Sequence, residues 1–568
     1  MKKLFRNFLT IALSFTILIG CTACSPIGEV IDKGDASKTQ LRVYSYDGGV
    51  GNVWLDKAIE RFESLYANYE FEPGSGKKGV DIIPNKTKAG ADLSTIDNSS
   101  DDVFFSEWVD IPSLIGQNKV LDINDVVTTP LNEFLVNEQG LPVTTDTETI
   151  QDKLYPASRE FFAHKKVNGE NRYFGLPHYS HFSSITYNKA YFDSEDLYFA
   201  KTRLDVTDGQ FISDENPEKS CGPDGIEGNA DDGLPATWDE MFELLDYIVD
   251  KGDIPFMWAG KGADGYTKYL ITTTYLNLAG IDIAEMDYTY TSNGKEVDIV
   301  KDFDSQGNPI YGKTIIAKHQ DDQKPKGINS LVSKYQALEV YDKIIDNRDY
   351  MHDNCVAQSV TMLDAQKEFI FSATDGNPVA MLVEGSYWYN EAEDATYFSQ
   401  ASTKPGWADK NDYRVMPMPR VYKGTAADVL GTNVHKSVVA DGSDSFACIN
   451  AKIKDDANLV KLAKMFLAFC YTDESLAEFT EITNIPRFID YDVDVSELNT
   501  YGKSVWEFYK SSDVLLPYAD DRVYLENKKE FSLHIESKFW DASSGLPWNA
   551  LRGEDKTIES FFKKFMAK

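Results

Sequence analysis

The chain has 568 residues, 42% of them hydrophobic and 26% charged, with 57 basic against 91 acidic side chains. That length gives room for about three domains, or for two large ones carrying insertions. The apolar and aromatic content excludes a disordered chain, and a formal charge of −34 excludes nucleic acid as a partner, because phosphate binding needs a basic face. The 9 Trp, 31 Tyr and 32 Phe are many rings for so acidic a protein, and they call for an explanation.

Lys2, Lys3 and Arg6 precede an apolar stretch over 8–20. It is too short to cross about 30 Å of hydrocarbon as a helix, but suits the apolar region of a signal peptide. It ends in Leu18-Ile19-Gly20-Cys21, which resembles a bacterial lipobox. The expectation is a lipoprotein signal peptide over 1–20, an acylated (palmitate-type) Cys21, and a lipidated polar tether over 21–40. Such a protein is exported and held by lipid at the outer face of the cell membrane. Cys21-Thr-Ala-Cys24 has the letters of a redox motif but precedes any strand. Four further cysteines (Cys221, Cys355, Cys448 and Cys470) are too widely spaced for pairing to be deduced.

Beyond the tether, strands and helices alternate. Leu41-Arg-Val-Tyr-Ser-Tyr46 reads as a strand, followed by the glycine turn Asp47-Gly48-Gly49-Val50-Gly51. A helix follows, with Leu55, Ala58, Ile59, Phe62, Leu65 and Tyr66 on one stripe. Asp101-Asp-Val-Phe-Phe105 is a second strand, ending at Ser106-Glu107-Trp108. Thr237-Trp-Asp-Glu240 is a capping box opening a helix. Leu459, Leu462, Ala463, Phe466, Leu467 and Cys470 mark another helix. The alternation indicates an α/β architecture, interrupted by insertions over 128–160, 194–236 and 285–330. Within the last, the segments around Ser292-Asn293-Gly294-Lys295 read as a hairpin on an Asn-Gly turn.

Motifs of catalysis are scarce. Gly307-Asn-Pro-Ile-Tyr-Gly312-Lys313-Thr314 matches a P-loop in letters, but a polar turn precedes it and Thr314-Ile-Ile reads as a strand, where a helix is required. There is no G-x-S-x-G elbow and no H-E-x-x-H. A glycoside hydrolase's carboxylate pair has no sequence signature, so a surface-anchored carbohydrate-active enzyme stays as the alternative reading. One acidic loop, Gly222 to Gly233, interleaves Asp224, Asn229, Asp231 and Asp232 with glycines. Calcium wants oxygens on a tightly turning backbone, so a structural calcium site is an expectation here, although the spacing is not that of an EF-hand. No other cofactor is expected.

Several segments, in order, resemble the carbohydrate-binding proteins of bacterial ABC importers, the group of maltose-binding protein. They are the first strand with its glycine turn, Asp101-Asp-Val-Phe, Val120-Leu-Asp-Ile-Asn-Asp125, Tyr173-Phe-Gly-Leu-Pro177, Tyr187-Asn-Lys-Ala-Tyr-Phe192, Pro235-Ala-Thr-Trp-Asp-Glu240, Val379-Ala-Met-Leu-Val-Glu-Gly-Ser-Tyr-Trp388, and the Ala463–Phe469 helix with Tyr471-Thr-Asp-Glu474. The resemblance implies a two-lobe periplasmic-binding-protein-like α/β fold with three hinge crossings, near Phe174–His178, Met381–Gly385 and Cys448–Lys452. One lobe would comprise 41–174 plus 386–448, the other 179–382 plus 452–568. It also implies a non-enzymatic monomer that captures a sugar between its lobes and delivers it to the importer's permease subunits.

A pyranose offers an apolar C–H face and a rim of hydroxyls, so rings and carboxylates at strand ends are the groups to seek. By resemblance these are Tyr46, Asp47, Glu107 and Trp108 in the first lobe, and His178, Tyr179 and His181 at the first crossing. Trp258 would serve from the second lobe, Glu384, Tyr387 and Trp388 from the second crossing, and Arg487 near the end. The many rings favour an oligosaccharide over a monosaccharide. Trp54 and Trp238, in first turns of helices, read as structural.

Overall fold

The computed structural model describes residues 34–87, 93–107, 111–162, 165–167, 170–202, 210–317, 327–440, 445–515, 540, 545–553 and 555–567. The expected signal peptide, Cys21 and Trp108 lie outside these residues. Two large hydrophobic cores form, each with its own sheet, and a small third cluster gathers Cys221, Ala236, Ala426 and Val429.

The first sheet runs in the order Val80–Thr87, Thr39–Tyr46, Val103–Ser106, Phe446–Ile449, Leu176–Pro177. Its first three strands are parallel, with Val43 opposite Val103 and Tyr44 opposite Phe104, and Phe446–Ile449 runs antiparallel to both neighbours. Helix Val53–Leu65 lays Trp54, Leu55, Ala58 and Phe62 onto this core, while Leu65 is exposed. Helices Ala457–Phe469 and Asp473–Thr483 complete it. The insertion 128–160 docks here through Leu131, Leu135, Ile150 and Leu154. Buried Lys153 pins it, reaching Asp146 and Asp473 at 2.5 Å each.

The second sheet runs Tyr413–Val415, Ser183–Asn188, Val379–Gly385, Ile254–Met257. Val379–Gly385 is buried at every position, as a central strand covered on both faces must be. Thr237 caps helix Trp238–Asp250 by accepting from the Glu240 backbone N–H at 3.2 Å. The Glu240 carboxylate, also buried, accepts from the N–H groups of Ala236 and Ala426 and so ties two loops to the helix start. The other insertions pack on this second core. Asp287 takes a hydrogen bond from Tyr275 Oη at 2.7 Å and pairs with buried Lys334 at 2.6 Å.

The chain passes from the first core at Tyr179 to the second at Phe182, and back between Ala440 and Phe446. Helix Thr500–Ser511 serves both, with Trp506 in the first core and Tyr501, Val505 and Tyr509 in the second. The chain changes core just beyond Phe174–His178, and two expectations need correction. Met381–Gly385 is the middle of the second sheet, and Cys448–Lys452 begins within the first. Segments 386–440 and 452–483 thus pack on the cores opposite to those expected, whereas 446–448 stays with the first core as expected.

The hairpin also differs. Strands Glu296–Phe303 and Pro309–Ile315 pair antiparallel around a turn at 304–308, not around Asn293-Gly294. Asp304 organises that turn by accepting from the N–H groups of Gln306 and Asn308. The P-loop letters lie on this hairpin, in agreement with their rejection. Cys221, Cys355, Cys448 and Cys470 are buried free thiols.

Candidate functional site

The glycine turn after Thr39–Tyr46 meets the turn between Val379–Gly385 and helix Trp388–Asp394, so residues of both cores converge there. Gly49 lies so close that a Cβ on it would stand 2.7 Å from Tyr387 Cβ and Cγ. A Cβ on Gly48 would meet the Tyr46 ring and stand 3.1 Å from Glu107 Oε1. Tyr387 bends back across Gly385, where a Cβ would meet its ring at 2.4 Å. Glycine at these positions allows the backbone to approach a ring that any side chain would displace.

Around Tyr387 the second lobe gathers aromatic and acidic groups. Its hydroxyl is 3.4 Å from Tyr269 Oη, and its ring is 5.7 Å from His181. Tyr266 adds its ring 5.9 Å from Tyr269. Both tyrosines come from the first turns of helix Ala263–Ala279, three residues apart and so on one face. Burial, then Glu107 and Glu391, push the Tyr46 hydroxyl up to about 12. Burial and the same second-lobe carboxylates, Glu384 and Glu391, raise Tyr266. The phenols therefore stay protonated at neutral pH, able to donate as well as accept. Tyr46, Glu107, His181, Tyr266, Tyr269, Tyr387 and Glu391 are all half-buried, drawn from both lobes. Asn390 Nδ2, donating to Thr483 O at 2.6 Å, further links the two sides.

Of the expected residues, Tyr46, Glu107, His181 and Tyr387 come together, with Asp47 beside them accepting from Asn52 Nδ2 at 2.7 Å. Glu384 is almost wholly buried. The Gly385 N–H donates to its Oε1 at 3.0 Å, and Oε2 has no hydrogen-bond partner. Burial, and secondarily Glu391, hold its carboxyl well above the usual range, which favours the neutral acid. Gln366 donates to Glu391 Oε2 at 2.8 Å.

The others are core residues. Trp388 is fully buried, donates to Thr186 Oγ1 at 3.0 Å and is boxed by Phe369, Tyr413 and Tyr501. Trp258 is fully buried, donates to Cys355 O at 3.1 Å and meets Trp548 edge-on. His178 sits among Trp54, Phe105 and Phe479, and burial holds its imidazole well below the usual value, hence neutral. Tyr179 is buried against it. Arg487 places its guanidinium 4.2 Å from the Phe479 ring centroid inside the first lobe. In each case burial of a large ring or stem in the core outweighs display in the cleft. Tyr266, Tyr269 and Glu391 were not expected. The signal for the two tyrosines was their spacing just after Gly260-Lys-Gly262.

The acidic loop puts its oxygens to local use. Asp224 accepts from Ile226 N and Asn229 Nδ2, Asn229 from Asp231 N, and Asp232 from Gly228 N. Among the described residues, no group of three or more His, Cys, Asp and Glu is placed to hold a metal ion.

No family model matches the chain, and neither does any curated protein. Solved structures do. The apo form of RafE from Streptococcus pneumoniae is 13% identical, with a TM-score of 0.50 over 94% of this chain and 99% of that one. A protein solved in work on xylan utilization by Caldanaerobius polysaccharolyticus is 15% identical, with a TM-score of 0.50 over 93% and 99%. The chain thus has the α/β fold of the two-lobe solute-binding proteins.

Proposed function

We propose that this protein captures a neutral oligosaccharide in the cleft between its lobes and hands it to an ABC importer. The observation that carries the reading is the convergence of Tyr46 and Glu107 from one lobe with His181, Tyr266, Tyr269, Tyr387 and Glu391 from the other. Rings cover the C–H faces of a sugar, while carboxylates and phenols meet its hydroxyls. A ligand touching both lobes stabilises their closed arrangement by its differential contacts. RafE, whose fold the chain shares, has been solved in complex with raffinose. The lipobox-like Cys21 supports a lipid anchor at the outer face of the membrane, and no described helix is long and apolar enough to cross one.

Thermal shift and titration calorimetry against raffinose, maltose and xylo-oligosaccharides test the reading, with chromatography of each mixture afterwards. Saturable binding with intact sugar is expected, lost at least tenfold in Tyr387→Ala. Cleavage products would replace it with the hydrolase reading.

A further inference from the structure

The second lobe contains a cavity of about 650 Å3, and none of the cleft residues lines it. The acidic loop forms one wall, through Asp231 and Ile226, and Arg420, Tyr187, Val434 and Phe508 form others. Its volume falls within the roughly 300–1,000 Å3 of small-molecule sites.

Two polar groups here have unused bonding capacity. Asp231 is only 9% exposed, yet its carboxylate accepts no hydrogen bond from any other described residue. Arg420 donates Nη1 to His435 O at 2.7 Å and Nη2 to Ser437 Oγ at 3.1 Å, but its buried Nε has no partner. The two attract each other without closing an ion pair. Neighbouring charges are already satisfied: Arg414 grips Asp412 through two nitrogens, and Asp224 holds its own loop. A nine-tenths-buried carboxylate that accepts only from its own backbone N–H has capacity for a further donor.

We infer that this cavity is a second binding site, for a neutral hydroxylated ring of one or two sugar units, which donates to Asp231. A cation would face Lys189, Arg414, Arg420 and Lys436, and an anion would face Asp224, Asp231 and Glu507. A hydroxyl is uncharged and can donate to the free lone pairs of the Asp231 carboxylate. The rings of Tyr187 and Phe508 offer apolar cover for the C–H face.

The test uses D-glucose and maltose as probes, with glycine and inorganic phosphate as charged controls, followed by saturation-transfer NMR and calorimetry. In Tyr387→Ala protein, whose cleft is impaired, a saturable event for a sugar probe is expected to persist, and Asp231→Asn is expected to weaken it at least tenfold. Ile226, at the edge of the cavity and 61% exposed, can carry a reporter without disturbing the core. Ile226→Trp fluorescence should respond to the same probe at the same concentrations. Absence of any sugar event in Tyr387→Ala protein, an event indifferent to Asp231→Asn, or preferential binding of glycine or phosphate would overturn the inference. Because the cleft and the cavity share no residue, loss of cleft binding alone leaves this result readable.

Discussion

Gly49→Ala is the sharpest perturbation of the contact between the lobes. Its Cβ would lie 2.7 Å from Tyr387 Cβ and Cγ and 2.8 Å from Cδ2, atoms near the root of the side chain that cannot swing away. Restoring ordinary contact requires about 1 Å of separation, and overpacking of this kind costs about 1–3 kcal/mol. Gly49 lies in the turn after Thr39–Tyr46 of the first sheet, and Tyr387 follows Val379–Gly385 of the second sheet with its ring packed against the first core, so the strain falls on the contact between the lobes. Closed-state affinity should therefore fall about 5- to 150-fold, while the unliganded melting temperature changes by no more than a few degrees. Calorimetry with the tightest-binding oligosaccharide reads the first quantity, and small-angle scattering with saturating sugar reads the residual opening. A dissociation constant within twofold of wild type would show that ligand capture does not need this contact, and the reasoning would fail.

Trp388→Ala should destabilise the protein by about 3–5 kcal/mol in urea titration, since it empties a fully buried aromatic box; a loss below about 1 kcal/mol would show that the ring faces solvent. Asp231→Asn makes a pH-dependent prediction. Burial and Asp224 raise the Asp231 carboxyl to about 7 from 3.8, so the unfolded chain releases this proton first and stability drains away as pH rises from about 4 to about 7. The variant should match wild type near pH 4 and exceed it by an order of 2–4 kcal/mol at pH 8, at about 1.4 kcal/mol per pH unit; a gap that does not vary with pH would contradict the placement. Cys21→Ala should move the protein from the membrane fraction to the soluble one, and retention on membranes would remove the lipid anchor.

Local signals in the sequence were reliable where chemistry is local. The first strand, its glycine turn, the Thr237 cap and the helix ending near Cys470 all stand where their residues place them. Tyr46, Glu107, His181 and Tyr387 were singled out by resemblance, as rings and acids at strand ends and turns, and the structure brings them together. Trp388 and Trp258 carried the same letters, yet each sits one turn or one residue past the strand end, facing inward, and only the pairing of Val379–Gly385 between two strands reveals this. Lobe membership of 386–440 and 452–483 was hidden for the same reason: it depends on contacts between segments far apart in the chain, such as the pairing of Tyr413–Val415 with Ser183–Asn188. The Asp304 turn displaced Asn293-Gly294 because an aspartate that caps two backbone N–H groups is as good a hairpin closure as Asn-Gly. The abundance of rings has mostly a core explanation, with Tyr46, Tyr266, Tyr269 and Tyr387 gathered where the two cores meet.

Calorimetric titration of wild-type and Tyr387→Ala protein with raffinose, maltose and xylo-oligosaccharides, each mixture then checked for cleavage, decides whether the cleft captures sugar. Saturable binding of at least one oligosaccharide, recovered intact and weakened at least tenfold by Tyr387→Ala, is the expected result. Hydrolysed sugar, or binding that Tyr387→Ala leaves untouched, would contradict it.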